Sequence, residues 1–336
     1  RKEKRKSQKK SFLSIIKGFY FIGLVQQVLR FLSRNNKIYM QQTYISRMSN
    51  IFKLNINFGD FPIYSYKEDY LNNDKYNHNE RKKIDISYRG KDEFIDFVFQ
   101  VLPEMLPIIY FEGFKNLRKS VVSRRFPKNP KIIFTTIGVY SDYVFTAWTA
   151  DRIKKGTKLI IGQHGGYYAT AKIPGEFFYH ELKCSDAYFS WGWRMPSFDI
   201  RPITSFPFLG LESGNWKNKG KIVIVTRIVC RNSAELTTST LPGKNNTEFM
   251  NRLVALIKKI PKKEMYNLCV KLHPGESGNR EEGECIELYL REKFHSLKIY
   301  SSIEISLSRL LKESKLAIFT YDGTPFLESM ATDYPC

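Results

Sequence analysis

Three stretches set polar or proton-carrying side chains directly behind apolar runs: Gln163-His164-Gly165-Gly166, Lys271-Leu272-His273-Pro274 and Thr320-Tyr321-Asp322-Gly323-Thr324. The first follows Lys158-Leu159-Ile160-Ile161-Gly162, and a short β-branched run cut off by glycine reads as a buried parallel strand. In open α/β sheets ligands sit just beyond the carboxyl ends of strands, and Gly165 and Gly166 would let a backbone approach closely there. That places His164 where such a protein does chemistry. A tight turn with a solvated or core-satisfied histidine fits the same residues. The second stretch shifts the balance, because it repeats the pattern about a hundred residues on.

Each stretch suits an anion. Lys271 and His273 alternate, so on a strand both point to one side and can converge on one phosphate. Gly323-Thr324-Pro325 opening a helix offers backbone N–H groups and the positive end of the helix dipole, with Asp322 just before it. Glu328, one turn further, could accept hydrogen bonds from ribose hydroxyls. Taken singly, these are also a surface lysine, a turn histidine and a helix cap. Their recurrence at successive strand ends favours a site.

The positioning elements alternate. Ile132–Thr136 is predicted as a strand, Asp142–Lys154 as a helix and Lys158–Ile161 as the next strand, which makes a βαβ unit. A helix over Pro174–Leu182, with His180 and Glu181, and a strand over Ala187–Ser190 follow, leading into Trp191-Gly192-Trp193. Glu212–Gly220 reads as a linker. The strongest strand signal, Lys221–Thr226, opens a second α/β series. Its helices are Thr247–Ile260, Glu282–Phe294, Ile303–Lys312 and Pro325–Met330, and its further strands Tyr266–Leu272, Leu297–Tyr300 and Leu316–Thr320. Lys91–Tyr110 reads as a helix up to Val101, with Pro103 and Pro107 limiting any extension. Residues 33–89 read as loops and short strands. Arg118, Lys119, Arg124, Arg125, Lys128 and Lys131 fit either an anion-facing patch or a charged surface helix and loop.

The expected organisation is thus a basic arm and amphipathic helix (1–32), a first Rossmann-like domain (33–211), the linker (212–220) and a second Rossmann-like domain (221–336). The start at Arg1 and the stop at Cys336 suggest a fragment with an incomplete second domain. Residues 1–10 carry seven basic side chains against Glu3, and 11–32 are apolar around most of a helix. That helix fits packing within the first domain. It also fits lying on an anionic membrane surface held by the basic arm.

With 42% apolar residues the chain is globular, and no run approaches the roughly 20 apolar residues that span a bilayer. Five scattered cysteines without a C-x-x-C pair read as reduced thiols in a cytoplasmic protein, not as a disulfide framework or zinc site. A net charge of +21 implies an anionic partner: nucleic acid, acidic lipid or phosphorylated substrate.

The ordered set of His164-Gly165-Gly166, Lys271-x-His273-Pro274 and the turn into a helix with Glu328 downstream resembles bacterial surface-carbohydrate transferases. These include capsule Kdo transferases and CDP-glycerol glycerophosphotransferases. Gly162–Gly166 with Glu181, Asp186 and Trp191-Gly192-Trp193, together with Asp322–Ala331, most resembles one branch of the surface-carbohydrate transferases. The resemblance covers roughly 131–336. It implies a GT-B fold, two Rossmann-like domains facing a cleft, with donor bound by the second domain and acceptor by the first. Carried over by position, Lys271, His273, Asp322, Gly323, Thr324 and Glu328 would bind a CMP- or CDP-linked donor. His164 would act as general base, supported by Gln163 and Glu181, with Gly165 and Gly166 forming the turn. A neutral imidazole with a pKa near 6.5 suits that role. Asp322-Gly323-Thr324-Pro325 departs from the paired serines of the glycerophosphotransferases, which leaves the donor open. The acceptor would be a surface polysaccharide or lipid-linked chain, at the inner face of the cytoplasmic membrane. No cofactor or metal is expected, since no Asp-x-Asp motif is present.

Two rivals stand beside this reading. A basic nucleic-acid-binding protein would explain the charge and the abundant Tyr and Phe, although no recognisable RNA- or DNA-binding module is present, so no specific nucleic acid is expected. An inactive GT-B-like scaffold would keep the fold without the chemistry.

Overall fold

The computed structural model describes residues 37–44, 74–84, 90–124, 126–168, 176–203, 205–208, 219–228, 244–273, 286–301 and 304–336. The expected basic arm and helix over 1–32, most of the linker, and Pro274 lie outside the described residues.

The protein is α/β, with two parallel sheets. The first has five strands in chain order: β1 (Ile38–Gln41), β2 (Ile132–Thr135), β3 (Lys158–Gly162), β4 (Ala187–Ser190) and β5 (Ile200–Pro202). Ile133, Leu159, Ile161 and Tyr188 are almost fully buried, as strands covered on both faces require. The second sheet holds β6 (Lys221–Val225), β7 (Leu268–Lys271), β8 (Lys298–Tyr300) and β9 (Ser314–Phe319) in the order β8-β7-β6-β9, again all parallel. One face packs Ile222, Ile224, Leu268 and Val270 against helices α7 (Lys244–Lys259) and α8 (Ile286–Lys293) through Leu253, Ile257, Ile286 and Leu290. The other face packs Val223, Val225 and Cys269 against Leu310 of α9 (Leu307–Lys312). The arrangement of the two sheets is consistent with two Rossmann-like domains.

The remaining described helices are α1 (His78–Arg81), α2 (Glu93–Met105), α3 (Phe114–Ser123), α4 (Gly138–Ser141), α5 (Tyr143–Ile153), α6 (Glu176–Cys184) and α10 (Thr324–Ala331). Two compact units divide the chain, one over Arg1–His164 and Cys184–Pro207, the other over Gly165–Lys183 and Phe208–Cys336. Among the described residues no helix is long and apolar enough to cross a membrane.

Helix α2 runs past the stop expected at Val101 and includes Pro103. Asp92 starts it by accepting from the amides of Phe94 and Ile95, both at 3.0 Å. Its far end survives because the buried guanidinium of Arg81 takes the carbonyls of Pro103 (2.9 Å), Glu104 (3.2 Å) and Leu106 (2.7 Å). These are the orphan carbonyls that a helix end must otherwise give to water. Arg81 also binds Glu112 with two hydrogen bonds of 2.7 Å, which hold that carboxyl at a pKa of about 2. Part of the basic stretch after 116 is likewise committed: Arg118 pairs with Asp151 and Arg124 with Asp142, the N-cap of α5.

Candidate functional site

In the first unit the chemistry-bearing residues follow β3. Gln163 extends the ladder, its amide donating to the Phe189 carbonyl at 2.8 Å. Its side chain is 2% exposed, and its Oε1 accepts from the Trp191 amide and the Trp193 indole N–H, both at 2.8 Å. Gln163 therefore fixes the Trp191-Gly192-Trp193 turn behind β4. Nothing in the sequence signalled this pairing, since a glutamine next to a histidine reads equally well as catalytic.

His164 lies between two tyrosine rings, with centroids 6.3 Å from Tyr44 and 6.4 Å from Tyr140. Burial pushes its pKa down to about 4, against a hydrogen bond to the Thr136 backbone that favours the charged form. The imidazole is therefore neutral near pH 7. The hydrogen bond to the Thr136 backbone orients the ring. Asp186, grouped with these residues in the sequence, sits at the other end of the strand. It receives the Leu159 amide (2.9 Å) and the Lys158 ammonium (2.7 Å) and anchors the start of β3.

In the second unit, Gly165 and Gly166 are buried, and a Cβ on Gly166 would lie 2.7 Å from the carbonyl carbon of Gly323 and from the Thr324 amide nitrogen. Only glycine permits that approach of two backbones. Glu181 is fully buried on α6 and accepts from the Tyr168 hydroxyl at 2.9 Å.

The other strand ends of this unit lie side by side, because β6 has β7 on one flank and β9 on the other. The chain builds outward from β6 to β7 and β8, then returns to place β9 on the opposite edge of β6. Such a reversal of strand order opens a crevice beyond the carboxyl ends of the two strands involved. Here those ends are stitched together. Thr320 Oγ1 accepts the Arg227 amide at 3.1 Å, and the Thr320 amide donates to the Val225 carbonyl at 3.1 Å.

Around this point stand the sequence-predicted residues. Lys271 is 5% exposed and its ammonium donates to the Ser301 carbonyl at 2.6 Å, toward the β8 side. Burial lowers its pKa, opposed by Glu304. His273 is half-buried, which lowers its pKa, and its ring meets Tyr321 edge-on at 6.4 Å. The Tyr321 ring in turn covers Gly323, where a Cβ would clash with it at 2.3 Å. Asp322 is exposed.

At the start of α10, Pro325 brings no N–H, and the amides of Phe326 and Leu327 both point at the Gly323 carbonyl (3.1 and 3.4 Å). Among the described residues the amides of Gly323 and Thr324 donate no backbone hydrogen bond outside the helix, although Gly323 is buried and Gly166 packs against both. Glu328, half-buried one turn on, has its carboxyl pKa raised by burial. A desolvated carboxyl of this kind is a ready acceptor for hydroxyl groups.

The sequence missed Arg227 and Tyr321 as members of this cluster. Tyr321 was visible only as a spacer in Thr320-x-Asp322, and Arg227 only as the residue that follows the strongest strand. Among the described residues no three His, Cys, Asp or Glu side chains gather as a metal site. A shallow depression lined by Thr247, Glu248 and Arg252 lies on the side of α7 and involves none of these strand-end residues.

A family model described as LIC12162 family transferase matches residues 1–336. No curated protein and no solved structure matches the chain.

Proposed function

Because the chain belongs to the LIC12162 family of transferases, and is therefore an enzyme, we propose that it transfers a glycosyl or polyol-phosphate group. The donor would be CMP- or CDP-activated, and the acceptor a surface polysaccharide or lipid-linked chain, as in GT-B enzymes of surface-carbohydrate synthesis. The observation that carries this reading is the strand-order reversal of the second sheet, with His273, Tyr321 and the Gly323–Thr324 amides around the ends of β6, β7 and β9. Close backbone approach, hydrogen-bond donors and positive charge are what a nucleotide phosphate needs.

In this mechanism the second unit binds the donor. His273 and the amides of Gly323 and Thr324 take phosphate oxygens, Lys271 adds positive charge, and Glu328 accepts from ribose hydroxyls. Asp322, exposed beside the same turn, borders the donor. His164, as a neutral imidazole, would take the proton of the acceptor hydroxyl as that oxygen bonds to the transferred group. The bond to the nucleotide breaks, and CMP or CDP leaves with the electron pair. Gln163 acts by holding the Trp191–Trp193 turn, and Glu181 by holding Tyr168 just past the glycine turn. Residues 1–32 would bring the enzyme to the anionic inner face of the cytoplasmic membrane.

Calorimetry with CMP and CDP tests the donor site. Micromolar to millimolar binding by the wild type, abolished in His273→Ala, is expected. No binding of CMP, CDP or UDP by the folded chain would overturn the reading. The net charge of +21 supports a second reading, nucleic-acid binding. That reading predicts a steep salt dependence with random-sequence RNA and no nucleotide binding.

A further inference from the structure

We propose that the exposed apolar side of helix α2 is an interface on which a second copy of this chain docks through its helix α3. Every residue from Lys91 to Val98 is exposed, so the first turns of α2 stand clear of the core. On them lie Phe94 and Phe97, 72% and 58% exposed, and Met105 at the far end is 73% exposed. Single exposed aromatics are ordinary, but large apolar side chains gathered on adjacent turns of one helix mark a contact surface.

Charge selects the occupant. Helix α2 carries Glu93, Asp96 and Glu104 and no basic side chain, in a chain whose net charge is +21. An anionic bilayer or a nucleic acid would be repelled by these acids, and a second α2 would set acid against acid. The surface that fits is apolar and basic. Helix α3 carries Lys115 and Lys119, both exposed, besides the Arg118 that pairs with Asp151, and it has no acid. Phe114 and Val122, also exposed, supply its apolar part. The spacing matches as well: Lys115, Lys119 and Val122 recur at i, i+4 and i+7, as Glu93, Phe97 and Gln100 do on α2, with Asp96 beside Phe97. Both sides are exposed within one copy, so the pairing runs between copies. Under a twofold axis α2 takes the partner's α3 while the partner's α2 takes α3 in return, and each contact is made twice.

Sedimentation velocity on the full chain tests this, read as the dimer dissociation constant. The wild type is expected to dimerise in the micromolar range and more weakly as salt is raised. Phe97→Asp should weaken the dimer by at least about 10-fold. Asp96→Lys and Lys119→Glu should each weaken it roughly 5- to 25-fold, since a twofold interface uses each contact twice. Combined, the two exchange the charges across the interface and should bring the affinity back to within about threefold of the wild type. If Phe97→Asp fails to fold, as its melting curve would show, the charge pair decides. A wild type that stays monomeric up to about 100 μM overturns the proposal. So does a dimer indifferent to a folded Phe97→Asp, because the interface then lies elsewhere. A dimer that Lys119→Glu leaves intact, or that the double variant fails to restore, overturns the pairing of α2 with α3.

Discussion

At the end of β3, Gln163 is 2% exposed with its side-chain oxygen taken by two tryptophan donors, and His164 is flanked by tyrosine rings and held neutral by burial. At the ends of β6, β7 and β9, by contrast, Asp322 is exposed, His273 and Glu328 are half-buried, and a helix starts at Thr324 behind the buried Gly323. The difference follows from strand order. A sheet that runs 1-2-3-4-5 has no reversal, so the turn after β3 must be shaped by its own packing. A sheet that runs 8-7-6-9 provides a crevice by topology, and its rim residues need only line it. Substitutions at the first end should therefore register in stability and catalysis together, and those at the second in ligand affinity.

The largest expected effect is on turnover. His164→Ala should slow release of CMP or CDP from a donor by about 10²- to 10⁴-fold with nucleotide affinity unchanged, the usual range for a lost general base. Retained turnover would remove the base from the first end and collapse the contrast.

Acid should distinguish the ends next. A histidine whose pKa falls from 6.5 to about 4 on folding stabilises the native state above pH 6.5, and this contribution is lost as pH drops toward 4. The loss is about 3 kcal/mol at most, read as the change in urea midpoint between those pH values. His164→Asn should flatten that part of the profile. His273→Asn should flatten it less, its shift having the same direction but a weaker cause.

Gln163→Ala strands two donors at once and should cost about 2–4 kcal/mol in urea unfolding. Gly166→Ala drives a Cβ into the backbone of Gly323 and Thr324 and should cost about 1–3 kcal/mol. It should also weaken nucleotide binding, because those two amides would have to move. The smallest stability change is expected for Thr320→Val, about 1–2 kcal/mol for the two hydrogen bonds its hydroxyl makes, from the Arg227 amide and to the Val225 carbonyl. A fall in CDP affinity larger than that stability change would show that the stitch between β6 and β9 serves the ligand.

The regular parts of both sheets were legible because β-branched runs such as Lys221–Val225 and Lys158–Gly162 end in clear turn signals. β1 and β5 were not singled out, since Ile-Tyr-Met-Gln and Ile-Arg-Pro are too short and mixed to stand out from loops. Pro103 misled in a definite way. The arginine that satisfies the helix end beyond it lies 22 residues earlier in the chain, and no local pattern encodes that pairing. The same holds at the candidate site. That His164 and Lys271-x-His273 follow strands was readable, but the adjacency of β6 and β9 is a fact of topology. Without it Arg227 and Tyr321 have nothing to mark them.

The position of β9 also sets an order of events during synthesis. The ribosome releases β6, β7 and β8 first, and these three can pair while β6 still has a bare edge. The crevice comes into being only when β9, the last of the nine described strands to be made, slides in beside β6. A nascent chain stalled before residue 314 would carry most of its helices and a hydrophobic edge open to other chains, yet no place to hold a nucleotide. If the second sheet binds the donor as proposed, that capacity would arrive late, only once β9 is in place.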